Sequence, residues 1–152
     1  MTQEQKELLL KDLCARLPYG VKCIEKTPIE DFQDKNLWEI DQIRADTFMF
    51  GMSNCYVCYG QYDDIHNIKP YLFPMSSMTE EQKYDFYCRF IENDCDFNDL
   101  KEFYLDNGMW HKLLTSLDDI EAIVDWFHKN HIDYRGLIPM DLAIDATGLN
   151  IY

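Results

Sequence analysis

The stretch IKPYLFPMSSMTEEQK, residues 68–83, joins two regions with different sequence patterns and thereby decides the fold class. Its first part, IKPYLF, is a short β-like run, whereas Thr79 and Gln82 have the spacing of a capping box that begins a helix. The residues between them, from Pro74 to Met78, are too few for a flexible linker. The stretch therefore predicts an α+β fold in which a β-rich region leads directly into a helical region.

The region before this stretch predicts one helix and then several short strands. Thr2 and Gln5 form a possible capping box, and Pro18 and Gly20 end the helix. One side of that helix carries residues at helical spacing: Leu9, Leu13, Arg16 and Leu17. The β-like runs that follow are separated by turn residues and read GVKCIEK, NLWEIDQIR, DTFMFG, NCYVCYGQY and IKPYLF. We expect residues 1–76 to form a helix and a small antiparallel β-barrel, with an SH3-like barrel as the suggested type.

The region after the stretch predicts helices, and we expect residues 77–152 to pack on the first half as a single compact unit. The helix after Thr79 is expected to bury Tyr84, Tyr87, Phe90 and Ile91. FNDLKEFYLDNG, residues 97–108, reads as a second helix. A third begins at Ser116 with Asp119, and its expected apolar face is Ile120, Ile123, Val124 and Phe127.

Charge is the strongest signal in the composition. The formal net charge is −14 and the pI is about 4.5. Residues 1–78 carry 12 acidic and 8 basic side chains, net −4, whereas residues 79–152 carry 16 and 6, net −10. Such a field repels phosphate backbones and anionic membranes, so we expect no direct nucleic-acid binding and no membrane association. It favours a protein partner with a basic surface, although an acidic surface that serves only solubility is the simpler reading.

The N-terminal residues are polar and lack the apolar core of a signal peptide, and no apolar run is long enough to span a bilayer. We therefore expect a cytoplasmic protein, in a cell or in an infected host. Its six cysteines are then expected to be reduced.

Cys55 and Cys58 have the Cys-x-x-Cys spacing of a zinc half-site or a redox pair. In a strand they would point to opposite faces, and Tyr56 and Val57 between them are strand formers. A zinc site completed by His128 and His131 is an alternative, as is a redox pair. The sequence favours packing cysteines, with no metal, cofactor or catalytic residue, and it places His128 and His131 near a helix end, where a cation suits the dipole.

Carboxylates and aromatic residues alternate in ENDCDFNDLKEFYLD, residues 92–106. A row of carboxylates can imitate a phosphate backbone toward a basic groove, whereas the simpler interpretation is a solvated helix face. The candidate partner-binding residues are Glu92, Asp94, Asp96, Asp99, Glu102 and Asp106.

Three segments, DLCARLPYGVKC, IKPYLFPMSSMTEEQK and VDWFHKNHIDYRGLIPMDLAID, resemble a family of uncharacterised small proteins encoded by phages, prophages and mobile elements of gut Bacteroidetes. The resemblance covers about a third of the chain and carries no catalytic motif. It implies an accessory protein of a phage or mobile element.

Three functions are compatible with these observations. The favoured one is a non-enzymatic acidic module that binds or inhibits a basic host protein, such as a defence nuclease. The alternatives are a structural, self-assembling phage protein and a metal or redox protein that uses Cys55 and Cys58. The sequence leaves the oligomeric state open.

Overall fold

The computed structural model describes residues 1–25, 37–44, 49–54, 57–90 and 120–152. Helix α1 spans Gln3–Arg16, α2 spans Glu80–Phe90 and α3 spans Ile120–Lys129. Both predicted capping boxes are present: Gln5 N donates to Thr2 Oγ1 at 3.2 Å, and Gln82 N donates to Thr79 Oγ1 at 3.2 Å. No helix in these ranges combines the length and apolarity that crossing a membrane requires.

A 3₁₀ turn, Leu17–Tyr19, follows α1 and ends at Gly20 in the left-handed conformation, with φ of 63°. A Cβ atom there would lie 3.2 Å from Glu39 Oε1, so both the backbone angle and the close side chain favour glycine. Helix α1 thus ends just before Pro18 and Gly20, as the sequence predicted.

Within the described part of the chain, the main sheet contains five antiparallel strands in the order β4–β3–β2–β1–β5. The strands are β1 at Lys22–Glu25, β2 at Trp38–Arg44, β3 at Met49–Asn54, β4 at Val57–Asp64 and β5 at Ile68–Pro74. Each corresponds to one of the β-like runs in the sequence.

Two short strands, β6 at Ile132–Asp133 and β7 at Ile144–Asp145, pair in parallel with the second half of β5. The α+β class is therefore confirmed, with a mixed rather than purely antiparallel sheet. The expected barrel is not formed: among the described strands β4 pairs only with β3, so the sheet stays open. The resemblance to an SH3-like barrel thus has no support in this topology.

Two hydrophobic cores hold these elements together. The first packs α1 through Leu9 and Leu13 against the sheet and against the loop after β6, where Leu137 lies. The second joins α2 to α3 and β6 through Met78, Phe86, Ile123, Trp126, Phe127 and Ile132. Burying an aliphatic or aromatic side chain of this size contributes about 1.5–3 kcal/mol. The first core contains residues from both sides of position 76. The predicted division of the chain into residues 1–76 and 77–152 stays a prediction.

The buried faces of α2 and α3 differ from those expected. Tyr84 is 57% exposed and Ile120 is 61% exposed, whereas Phe86 and Trp126 are buried. Phe86 is buried because its ring lies 5.2 Å from that of Trp126 and 5.5 Å from that of Phe127. The prediction was right for Ile123 and Phe127; the stretch 97–108 and the start at Ser116 lie outside the described residues.

Candidate functional site between α2 and α3

The six predicted partner-binding residues, Glu92 to Asp106, lie outside the described residues, so their arrangement stays a prediction. The structure does describe the two helices on either side of residues 91–119, the acidic segment that contains all six. Helix α2 ends at Phe90 and α3 begins at Ile120. The surface between α2 and α3 therefore adjoins both ends of the acidic segment.

An open groove of about 580 Å³ lies between these helices. Its volume falls within the range of about 300–1,000 Å³ typical of ligand pockets. Two carboxylates, two cations and one amide line it beside apolar groups; the lining residues are Asp85, Arg89, Phe90, Ala122, Asp125, Trp126, Lys129 and Asn130. At neutral pH the groove offers charges of both signs at its rim.

Asp85 accepts hydrogen bonds from two side chains that line the groove. Its Oδ2 accepts a hydrogen bond from Trp126 Nε1 at 2.7 Å, and both its oxygens accept from Arg89 Nε at 2.8 and 2.9 Å. The Trp126 hydrogen bond and then the Arg89 contact lower the pKa of Asp85. Asp85 is therefore a carboxylate at neutral pH, and its bond to Trp126 fixes α2 relative to α3.

Asp125 is the second carboxylate, and its Oδ1 accepts a hydrogen bond from Tyr19 OH at 2.5 Å. This hydrogen bond, more than burial, raises the pKa of Tyr19. The phenol thus stays protonated and connects the groove to the turn after α1. Because two carboxylates and two cationic side chains line it, the groove is suited to binding charged or polar groups.

A buried polar network lies between α1 and the end of α3. Arg16 Nε donates to Asp12 Oδ2 at 2.6 Å, and both side chains are fully buried. The Arg16 guanidinium also donates to the carbonyl of Ile132 at 2.8 Å and to that of Phe127 at 3.4 Å. Arg135 Nε donates to Asp12 Oδ1 at 3.1 Å. One carboxylate thus serves two guanidinium groups.

The network changes the interpretation of the two late histidines. His128 and His131 are buried, and burial followed by the nearby Arg16 charge lowers the pKa of each to about 4. They are therefore neutral at neutral pH, and their predicted role as cations at the helix end is wrong. Arg16 supplies a cation at this helix end instead, because its guanidinium donates to the Phe127 carbonyl in the last turn of α3.

The cysteine alternatives find no support in the described structure. Cys58 lies in β4 as predicted, and Cys55 lies outside the described residues. Within those residues no three His, Cys, Asp or Glu side chains come together as a metal site. His128 is instead hydrogen-bonded, with Tyr134 OH at 3.0 Å from its Nε2.

No family model, no curated protein and no solved structure matches this chain.

The groove could not be predicted from the sequence, because Asp85 and Trp126 are 41 residues apart. The sequence contains two weaker indications of buried polar residues. Arg16 lies on the apolar side of its predicted helix, and Asp133 lies in a stretch rich in turn residues. Asp133 is buried, and its carboxylate accepts hydrogen bonds from Leu137 N and Ile138 N at 2.8 Å each. It orders the loop that covers the first core.

Proposed function

We propose that this protein is a non-enzymatic, acidic protein-binding module whose partner presents a basic surface. The observation that carries the proposal is the charge of residues 91–119, which contain 8 acidic and 2 basic side chains, net −6. This segment includes the whole predicted row from Glu92 to Asp106. A concentrated negative charge of this kind accelerates association with a basic surface and selects against acidic ones.

The groove between α2 and α3 supports this proposal because it lies beside both ends of the acidic segment. Long-range attraction would come from the segment, and short-range contacts from the charged rim of the groove. Arg89 and Lys129 also give the rim a positive component, which can pair with acidic groups at the edge of a mainly basic partner surface. Such mixed rims contribute to specificity more than to affinity.

The resemblance to phage and mobile-element proteins implies a host protein as the partner. A defence nuclease is a suitable example, because its nucleic-acid groove is basic and a carboxylate row can occupy such a groove. Binding there would inhibit the nuclease without any chemical step.

The test is a pull-down of the tagged protein from host lysate, washed at low and at high salt, with bound proteins identified by mass spectrometry. The test variant is Asp94→Asn/Asp99→Asn/Glu102→Gln. The matched control is Glu4→Gln/Glu7→Gln/Asp145→Asn, which removes the same charge from exposed positions elsewhere. We expect one basic protein that is retained by the control and lost by the test variant and in high salt.

Equal retention by both triple variants would contradict the proposal. Recovery of the protein alone, together with sedimentation as an oligomer, would favour the self-assembling alternative. A near-stoichiometric metal content in protein purified without chelators would instead favour the alternative based on Cys55 and Cys58.

A further inference from the structure

The side chain of Tyr152 attaches residues 148–152 to the first half of the fold. The Tyr152 hydroxyl accepts a hydrogen bond from Lys22 N at 3.0 Å and donates one to the carbonyl of Tyr71 at 2.8 Å. Cys23 faces Pro70 in the antiparallel pairing of β1 with β5, so Lys22 and Tyr71 are the next facing pair. The phenol hydroxyl therefore stands between two backbone groups that would otherwise lack their ladder partners.

Two further hydrogen bonds hold this segment within the described part of the chain, and Lys22 Nζ also lies 5.6 Å from the centre of the Tyr152 ring. Lys22 Nζ donates to the carbonyl of Ile151 at 2.7 Å, and Leu149 N donates to Ala146 O at 3.0 Å. Residues 147–150 are all exposed, and Leu149 is 49% exposed. A segment with so little buried apolar surface opens at a small free-energy cost compared with global unfolding.

His131 lies directly beneath Tyr152, with the two ring centroids 3.8 Å apart and the rings nearly parallel. His131 follows α3 with a φ angle of 54°, in the left-handed region that histidine adopts more often than most residues other than glycine. Its Nδ1 atom is buried and has no hydrogen-bond partner among the described residues.

A proton on this imidazole would be poorly accommodated in the closed structure. Burial is the main cause that lowers the pKa of His131 to about 4, and the charges of Arg16 on α1 and Lys22 on β1 add to it. Asp12 forms ion pairs with Arg16 and Arg135, and the negative charge of Glu39 raises the pKa of Tyr152. A cation is attracted to the face of the Tyr152 ring, whereas the burial of His131 and the charges of Arg16 and Lys22 oppose a proton there.

We propose that residues 148–152 form a pH-sensitive strap: Tyr152 closes the gap between β1 and β5 while His131 is neutral, and protonation of His131 releases it. Release exposes the Lys22 N–H and the Tyr71 carbonyl beside the rings of Phe73 and His131. The uncovered slot then offers one backbone donor, one backbone acceptor and two aromatic faces. This inference does not depend on the proposed binding function, since it concerns none of the residues in the acidic row.

The direction of the pH effect follows from comparing His131 in the closed strap with His131 in the open strap. In the open strap His131 is solvated and its pKa returns toward the ordinary value of about 6.5. Opening is therefore coupled to proton uptake, and it becomes easier as the pH falls from about 6.5 toward about 4. A full return to about 6.5 increases the open fraction about 30-fold between about pH 7.5 and pH 5, which is the upper limit of the effect.

The test is amide hydrogen exchange followed by NMR, with rates corrected for the intrinsic effect of pH. The reporter is the Lys22 amide, which is protected by the Tyr152 hydroxyl. The control is the Ile40 amide, which donates to Val21 O at 3.0 Å between β1 and β2. We expect the Lys22 protection factor to fall by up to about 30-fold on going to about pH 5, with Ile40 unchanged.

Three variants separate the strap from other causes. His131→Asn tolerates the left-handed backbone and His131→Phe keeps the ring, and in both the Lys22 protection factor should become independent of pH. Tyr152→Phe keeps the ring without the hydroxyl and should leave Lys22 weakly protected at either pH. A flat profile in the unmodified protein, a pH dependence that survives both His131 substitutions, or full protection in Tyr152→Phe would each overturn the proposal.

Discussion

Arg16 is completely buried although its guanidinium group carries a permanent charge. Burying an ionised group is costly unless charge and hydrogen bonds compensate. Here Asp12 supplies the opposite charge, and the carbonyls of Phe127 and Ile132 each accept one further N–H group. The sequence placed Arg16 on the buried side of α1, but it could not identify carbonyl partners more than 100 residues away.

We predict that Arg16→Met destabilises the protein by about 3–5 kcal/mol, because it leaves the buried Asp12 carboxylate with only Arg135. The chain contains a matched control in Asp85 and Arg89, which have the same spacing of four residues on a helix but remain largely exposed. Arg89→Met should cost less than about 1 kcal/mol. Urea unfolding of both variants measures the difference. Similar losses of stability would show that burial does not determine how much these ion pairs contribute.

At the scale of single elements, the sequence predicted helix starts and strands better than it predicted buried faces. The Thr2 and Thr79 capping boxes are local patterns, and the structure confirms both. The segment YDFYCRF carries aromatic residues on several sides of α2, so periodicity could not decide which of them is buried. Contact with Trp126 and Phe127 decides in favour of Phe86.

We predict that Phe86→Ala destabilises the protein by about 3–5 kcal/mol, since it removes the ring at the centre of the second core. Tyr84→Ala removes an aromatic ring from the exposed side of the same helix and should change stability by less than about 0.5 kcal/mol. Thermal and urea unfolding of the two variants provide the comparison. A large loss in Tyr84→Ala would instead mean that the sequence-based face of α2 is the buried one.

The short strands β6 and β7 show a second limit at this scale. Each contains two residues and pairs with β5 in parallel, so neither carries the alternation by which strands are recognised in a sequence. Their formation depends on Asp133, which orders the loop between them, and on the core residue Leu137. These contacts arise only in the folded chain.

At the scale of the whole molecule, net charge is the property that the sequence determines completely. A charge of −14 produces self-repulsion in the folded state, and salt reduces that repulsion over a Debye length of about 10 Å at 0.1 M. The α2–α3 groove, by contrast, depends on tertiary contacts and could not be predicted. Sequence therefore favours a type of partner, whereas structure supplies one surface where contact can occur.

We predict that the melting temperature of the free protein rises by about 2–4 °C as sodium chloride increases from about 10 to 300 mM, which corresponds to about 1 kcal/mol. The buried Asp12–Arg16 pair is little affected, since water and ions do not reach it. Both triple variants described above should show a smaller rise than the unmodified protein, because each carries less repulsive charge. A fall in melting temperature with salt would show that attractive surface pairs outweigh the net repulsion.

This dependence also determines how loss of a partner at high salt is interpreted. If the free protein is more stable in salt while its complex dissociates, the dissociation reflects screening between two surfaces and not unfolding of the module. If stability and binding both fall with salt, the pull-down alone cannot assign the effect to the acidic row. The comparison of the two triple variants at low salt then decides, because both carry the same net charge and only one lacks Asp94, Asp99 and Glu102.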